Sequence, residues 1–214
     1  MDALQVLVTE GVKILKAGGV VAFPTDTVYG LGADAFNPRA VERIYEVKKR
    51  PRHLPFPLLL GDTCQVTWVA QPLSGIASFL ARRFWPGGLT LVLPKAASLP
   101  AHLTSGPTVA VRIPDHPVCL VLIERLGSPL IGTSANISGG VAALAADEVR
   151  QQLGQKIDLV IDGGKCTGGK ESTIVDVTGE MPVILRQGII SQNEIEKACK
   201  EYYQVKDDAY CSRL

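Results

Sequence analysis

Val20-Val21-Ala22-Phe23-Pro24-Thr25-Asp26-Thr27-Val28-Tyr29-Gly30-Leu31-Gly32 is the stretch on which the fold turns. The four apolar residues Val20–Phe23 read as a short buried strand. Pro24 ends it, because proline has no N–H to give to a ladder. Directly upstream, residues 3–17 read as a helix with Leu4, Leu7, Val8, Gly11, Ile14 and Leu15 on one face. Asp2 is placed to cap that helix and Gly18-Gly19 to stop it. A helix feeding a strand that opens into small hydroxyls is α/β grammar, and the carboxyl end of such a strand is where ligands bind. Thr25 and Thr27 can donate or accept hydrogen bonds, and Gly30 and Gly32 allow close backbone approach. By itself the segment reads equally as a polar turn between two strands.

The alternation continues downstream. Asn37-Pro38 is an N-cap followed by a favoured first helical residue, and that helix runs to about Lys49. A helix is expected over 73–84, with Leu73, Ile76, Ala77, Leu80 and Phe84 inward. Another is expected over 116–126 with Asp115 as its cap, and a third near 147–153. Strands are expected at 58–60, 89–93, 108–113, 129–133, 157–161, 173–177 and 183–186. Ser191 and Glu194 form a capping box for a last helix to about Tyr203. The expected division is one domain over 1–205 and a C-terminal tail over 206–214.

Composition narrows the function classes. The 214 residues carry 22 Lys+Arg against 21 Asp+Glu, a net charge of +1, with 46% hydrophobic residues. That excludes a globally basic nucleic-acid binder and an acidic disordered chain, but not a local basic patch. No apolar run approaches the roughly 18 residues of a spanning helix, so no membrane role is expected. The N-terminus lacks the basic start and apolar core of a signal peptide. Five cysteines, widely spaced and without a C-x-x-C pair, argue against a disulfide framework or structural zinc and for the cytoplasm.

Several segments carry the types of residue that bind ligands. Lys48-Lys49-Arg50-Pro51-Arg52-His53 gathers four cations at a helix end, which reads as dipole capping, a phosphate clamp or a nucleic-acid patch. Arg112, at the end of an apolar strand, either pairs with an acid or holds an anion such as a carboxylate. His116 reads as structural. Gly132-Thr133-Ser134-Ala135-Asn136-Ile137-Ser138-Gly139-Gly140 is a candidate phosphate cradle or a glycine-rich turn. Gly164–Lys170 fits G-x-x-x-x-G-K. It is not a P-loop, because Glu171 follows the lysine and a β-rich run replaces the helix.

Taken in order, these segments resemble the YrdC-like family of threonylcarbamoyl-AMP synthases. The matching stretches are 24–32, 48–51, 85–94, 108–117, 133–140, 162–178 and 184–188, and the likeness extends over about residues 4–190. The resemblance implies an α/β (α+β mixed) fold of the YrdC/RibB type. In it a twisted mixed sheet with flanking helices surrounds a concave basic cavity. It further implies that L-threonine, bicarbonate and ATP give threonylcarbamoyl-AMP and pyrophosphate, for modification of tRNA at t6A37. Residue by residue, Lys48 and Arg50 would hold ATP phosphates as the catalytic pair. Thr108, Ser134, Asn136 and Arg186 would contact the nucleotide. Thr27, Arg112 and Ser172 would contact threonine, with Arg112 on the carboxylate side.

Mg2+ is expected on the phosphates, with no protein-built metal site. Other proteins of the same tRNA-modification pathway are expected partners, and tRNA or double-stranded RNA is a further one. Two positions depart from the family pattern: Leu54, where relatives often have Lys or Asn, and Leu144, where many have a nucleotide-contacting Thr. The additional C-terminal domain of two-domain relatives is expected to be absent. An RNA-binding module and a paralogue with a different activity are the competing readings.

Overall fold

A computed structural model describes the backbone of residues 3–211 and side chains through residue 204. In chain order the first half holds α1 (Ala3–Lys16), β1 (Val21–Phe23), β2 (Gly30–Gly32), α2 (Pro38–Lys48), β3 (Leu58–Leu59), α3 (Val66–Val69), α4 (Gly75–Phe84), β4 (Leu89–Pro94) and β5 (Thr108–Arg112). The second half holds α5 (Pro117–Leu126), β6 (Leu130–Ile131), β7 (Thr133–Ser134), α6 (Ala146–Leu153), β8 (Leu159–Val160), β9 (Thr173–Asp176), β10 (Val183–Arg186) and α7 (Gln192–Cys211).

The expected twisted, mixed β structure with flanking helices is present, its strands arranged in two mixed sheets. One has the order β7-β2-β1-β8 and the other β10-β9-β4-β5-β3-β6. Each mixes both ladder types: β1 runs parallel to β8, β3 to β5 and β4 to β9, while the remaining pairs are antiparallel. The chain passes from the larger sheet to the smaller one at Gly132, between β6 on β3 and β7 on β2. A Cβ at Gly132 would stand 2.3 Å from Leu59 Cγ on β3, so a larger residue at the crossing requires that side chain to shift. That crossing carries Ser134 and Asn136 into the space between the sheets.

The helices fill in around this frame. Asn37 caps α2 by accepting from the Arg39 and Ala40 N–H groups, with Pro38 at the first turn. Lys49 closes α2 in the left-handed region at φ 51, which turns the chain sharply toward Arg50. One core cluster includes Ile44, Leu80, Leu91 and Val111, all fully buried. A second joins α1 to α5 through Leu15, Phe23, Leu122 and Ile161. Tyr29 is buried under the hairpin of β1 and β2, donates to Gly164 O at 2.8 Å, and has its phenol pushed up to about 12 by that burial.

Several local expectations are corrected. Asp115 does not cap α5. His116 does, its Nδ1 accepting from the Val118 N–H at 3.3 Å, while the Asp115 N–H is drawn to Asp26 Oδ1 at 3.1 Å. α4 begins after Ser74, which caps it, so Leu73 precedes the helix. The strand expected at 157–161 shortens to β8, because Asp158 turns its carboxylate to the Val20 N–H and to Arg43. α3 has no counterpart in the sequence reading. The Ser191–Glu194 capping box forms, and α7 then runs past Tyr203 to Cys211. Asp2 as the cap of α1 lies outside the described residues, as do positions 212–214 of the expected tail.

Candidate active site

A cavity of about 690 Å³ opens between the two sheets. Its wall includes Thr27, Lys48, Arg50, Arg112, Ser134, Asn136, Ser172 and Arg186. Of the residues expected to contact ligand, Thr108 alone is not on this wall. It sits at the start of β5, paired with Pro94, while Ala110 and Arg112 farther along the strand reach the cavity.

Lys48 corrects an expectation. A side chain lining an open surface is expected, yet Lys48 is 2% exposed. Its ammonium donates to Ser134 O at 2.6 Å, Asn136 O at 2.8 Å and Asn136 Oδ1 at 3.3 Å. Burial, then the Arg50 charge, draw its pKa down to about 8, so it stays charged at neutral pH. Asn136 is fixed from its other end as well, Nδ2 donating to Gly140 O at 2.6 Å. Lys48 therefore ties the last residue row of α2 to the segment that has just crossed between the sheets.

The basic cluster at 48–53 does not act as one patch. Arg50 turns into the cavity, held by Leu54 O at 2.9 Å and Pro55 O at 3.3 Å, its guanidinium 5.0 Å from the Phe56 ring centre. Arg52 pairs with Glu42 and lies over the Tyr45 ring. Lys49 and His53 are exposed.

Arg112 is paired with an acid. Its Nη2 donates to Asp26 Oδ1 at 2.6 Å, Nη1 to Thr27 Oγ1 at 3.0 Å and Nε to Gly87 O at 2.9 Å. Thr25 Oγ1 gives its proton to Val28 O at 2.6 Å, so the 3.0 Å contact between the two threonines is a donation from Thr27 to Thr25. The result is a directed chain from Arg112 through Thr27 and Thr25 to the β1–β2 hairpin. Three partners thus fix the guanidinium of a side chain that borders the cavity.

Arg186 Nε and Nη2 donate to Ser172 O at 3.1 and 2.9 Å, and Nη2 also to Ser172 Oγ at 3.1 Å. Ser172 Oγ lies 2.9 Å from Thr90 Oγ1. Arg186 Nη1 donates to Glu171 Oε2 at 2.8 Å. Pro55, Pro57, Leu59, Ile174 and Leu185 supply apolar wall.

Polar lining residues that the sequence reading did not assign to a ligand include Thr90, Ser138, Lys170, Glu171 and Gln187. Ser138 Oγ is a buried hydroxyl without a hydrogen-bond partner among the described residues. Its place in the run 133–140 was the available signal. Of the two departures from the family pattern, Leu54 is 42% exposed. Leu144 packs against the core, away from the cavity wall. Among the described residues no group of three or more His, Cys, Asp or Glu side chains could hold a metal ion. No described helix is long and apolar enough to cross a membrane. Cys64, Cys119, Cys166 and Cys199 are free.

Comparison with known proteins gives a consistent picture. The family model of the Sua5, YciO and YrdC proteins, described as telomere recombination, matches residues 13–188. A curated threonylcarbamoyl-AMP synthase from Pyrococcus abyssi is 45% identical over 188 residues, 87% of this chain and 55% of the relative. One from Marinobacter nauticus is 40% identical over 171 residues, 78% of this chain and 90% of the relative. The crystal structure of P. abyssi Sua5 complexed with L-threonine superposes with a TM-score of 0.86 at 44% identity, covering 89% of this chain and 56% of that one. This chain thus spans about half the length of the Pyrococcus proteins it matches.

Proposed function

Because the chain belongs to the Sua5, YciO and YrdC family, we propose that it is a threonylcarbamoyl-AMP synthase acting on L-threonine, bicarbonate and ATP. The observation that carries this reading is a convergence. Residues from Thr27 to Arg186, scattered along the chain, meet on the wall of one cavity that sets cations beside hydroxyls and an amide. A relative of the same fold is described with L-threonine bound.

In this reading the triphosphate lies toward Arg50 and Arg186, whose guanidinium planes are already fixed by backbone carbonyls. The purine lies against Pro55, Pro57 and Leu185. Threonine lies toward Thr27, Arg112 and Ser172, its carboxylate on the Arg112 side. The amine of threonine forms an N–C bond with the carbon of bicarbonate-derived CO2, losing a proton to give a carbamate. A carbamate oxygen then bonds to the α-phosphorus as the bond to the bridging oxygen breaks, and pyrophosphate departs with that electron pair. This is a nucleotidyl transfer. The protein's part is positioning and neutralising charge that develops on phosphate oxygens, with donors that need not reorganise during the step.

The donor set does not fit a resident divalent cation. Glu171 is the one carboxylate on the wall among the described residues, and it is paired with Arg186. Magnesium enters as part of the ATP substrate. A cytoplasmic location and delivery of the adenylate to tRNA-modifying partners follow from the same reading.

The test is pyrophosphate release with ATP, threonine and bicarbonate, omitting each in turn. Release that depends on all three is expected. Release indifferent to threonine or bicarbonate overturns the proposal, and so does tight RNA binding without adenylate formation.

A further inference from the structure

The cavity wall carries the cations Lys48, Arg50, Arg112, Lys170 and Arg186 and, among the described residues, a single carboxylate, Glu171. An acid at the centre of a site for a polyanion calls for a reason. Arg186 does not need it for placement, because three donations to Ser172 already hold the guanidinium. Glu171 instead occupies Nη1, the remaining corner of that guanidinium, at 2.8 Å. The two side chains are 39% and 37% exposed, so a solute in the cavity can reach the contact. The Glu171 backbone is anchored separately, its carbonyl accepting from the Ile189 N–H at 2.9 Å. Its side chain makes no other hydrogen bond among the described residues. The carboxylate is therefore free to swing while its root stays fixed. Its charge is also felt at Lys48 and Arg50.

We propose that Glu171 is a tethered anion that competes with ligand phosphate for Arg186 and so speeds the departure of pyrophosphate. The inference rests on the reading above, in which pyrophosphate is a product. A polyphosphate displaces the carboxylate from Nη1 when it binds, since a partly exposed ion pair is weak enough to open. After transfer, pyrophosphate sits among several cations and would leave slowly. Glu171, held nearby at high effective concentration, retakes Nη1 as each phosphate oxygen loosens and blocks its return.

The test is Glu171→Gln, with pyrophosphate alone titrated by calorimetry. The variant is expected to bind pyrophosphate roughly fivefold more tightly, about 1 kcal/mol. In steady state its KM for ATP and its kcat should both fall, with stronger product inhibition. A residue that merely braced Arg186 would do the opposite, weakening pyrophosphate and raising KM. Glu171→Asp keeps the charge on a shorter arm that falls short of Nη1, so it should follow Gln; if it behaves as the unaltered protein, the contact is not the cause and the proposal fails. Unchanged or weaker pyrophosphate affinity in Glu171→Gln, in a protein that melts normally, also overturns it. Because calorimetry needs no turnover, that failure is distinct from failure of the synthase reading, which shows as missing threonine-dependent release in the unaltered protein.

Discussion

Replacing Lys48 with methionine separates two roles that a lysine in this cavity can have. Methionine keeps most of the buried stem and removes the ammonium. Ser134 O retains a donor, the Asn136 N–H at 2.9 Å, but Asn136 O and Asn136 Oδ1 lose theirs. Leaving a buried acceptor unpaired costs about 1–3 kcal/mol, so the two together cost about 4. Against this, a lysine drawn down to about 8 carries a burial cost that the variant no longer bears. At 1.36 kcal/mol per pKa unit that relief is about 3 kcal/mol. The two contributions nearly offset each other, so the melt should move by no more than a few degrees. ATP binding should suffer far more, by over tenfold, because Ser134 and Asn136 lose the tie that sets their position. Urea or thermal melts measure the first quantity and calorimetry with ATP the second. Lys48→Arg sharpens the comparison: a solvent-facing phosphate clamp would tolerate it, whereas a slot that leaves its occupant 2% exposed will not. ATP affinity within twofold of normal in Lys48→Met, or near-normal affinity in Lys48→Arg, refutes the tether.

Other outcomes follow from the same geometry. Lys48 imposes an alkaline limb: kcat/KM for ATP should decline as pH rises through about 8, where the ammonium is lost, and a flat profile to pH 9 counts against it. The sign for stability is opposite. The folded value lies below the unfolded one, about 10.4, so the unfolded chain holds the proton more tightly between them. Stability should therefore rise with pH across that window, and Lys48→Met should lack the rise in urea melts at pH 8 and 10. Arg112→Lys removes the planar fork that links Asp26, Thr27 and Gly87, and should raise the KM for threonine roughly tenfold or more with ATP affinity little changed. Gly132→Ala places a methyl group against Leu59 at the sheet crossing. It should cost about 1–3 kcal/mol and weaken nucleotide binding through Ser134, whereas a melt unchanged from the parent would show that the crossing can relax.

Much of the site could be read from the sequence. That Thr27, Arg50, Arg112, Ser172 and Arg186 share one cavity wall was expected from the family pattern, since local chemistry by itself left structural uses open for each. Asn37 and the Ser191–Glu194 box were legible because caps are satisfied within three or four residues. What stayed hidden depends on partners distant in sequence. Arg112 reads as pairing or anion-holding until Asp26, from another element, arrives 2.6 Å from its Nη2. Asp115 reads as the cap of α5, yet His116 takes that place while Asp26, distant in sequence, accepts from the Asp115 N–H.

The alternation of apolar runs, caps and breakers decided which segments would be strands and helices, since those forces act within a few residues. It left open how many sheets the strands build, because ladder pairing is a long-range choice, and the chain changes sheets at Gly132, between β6 and β7. It also left open what each cation does. Burial and carbonyl placement are properties of the assembled chain, and they turn Lys48 inward as a tie, leave Arg50 facing the cavity, and put Glu171 against Arg186.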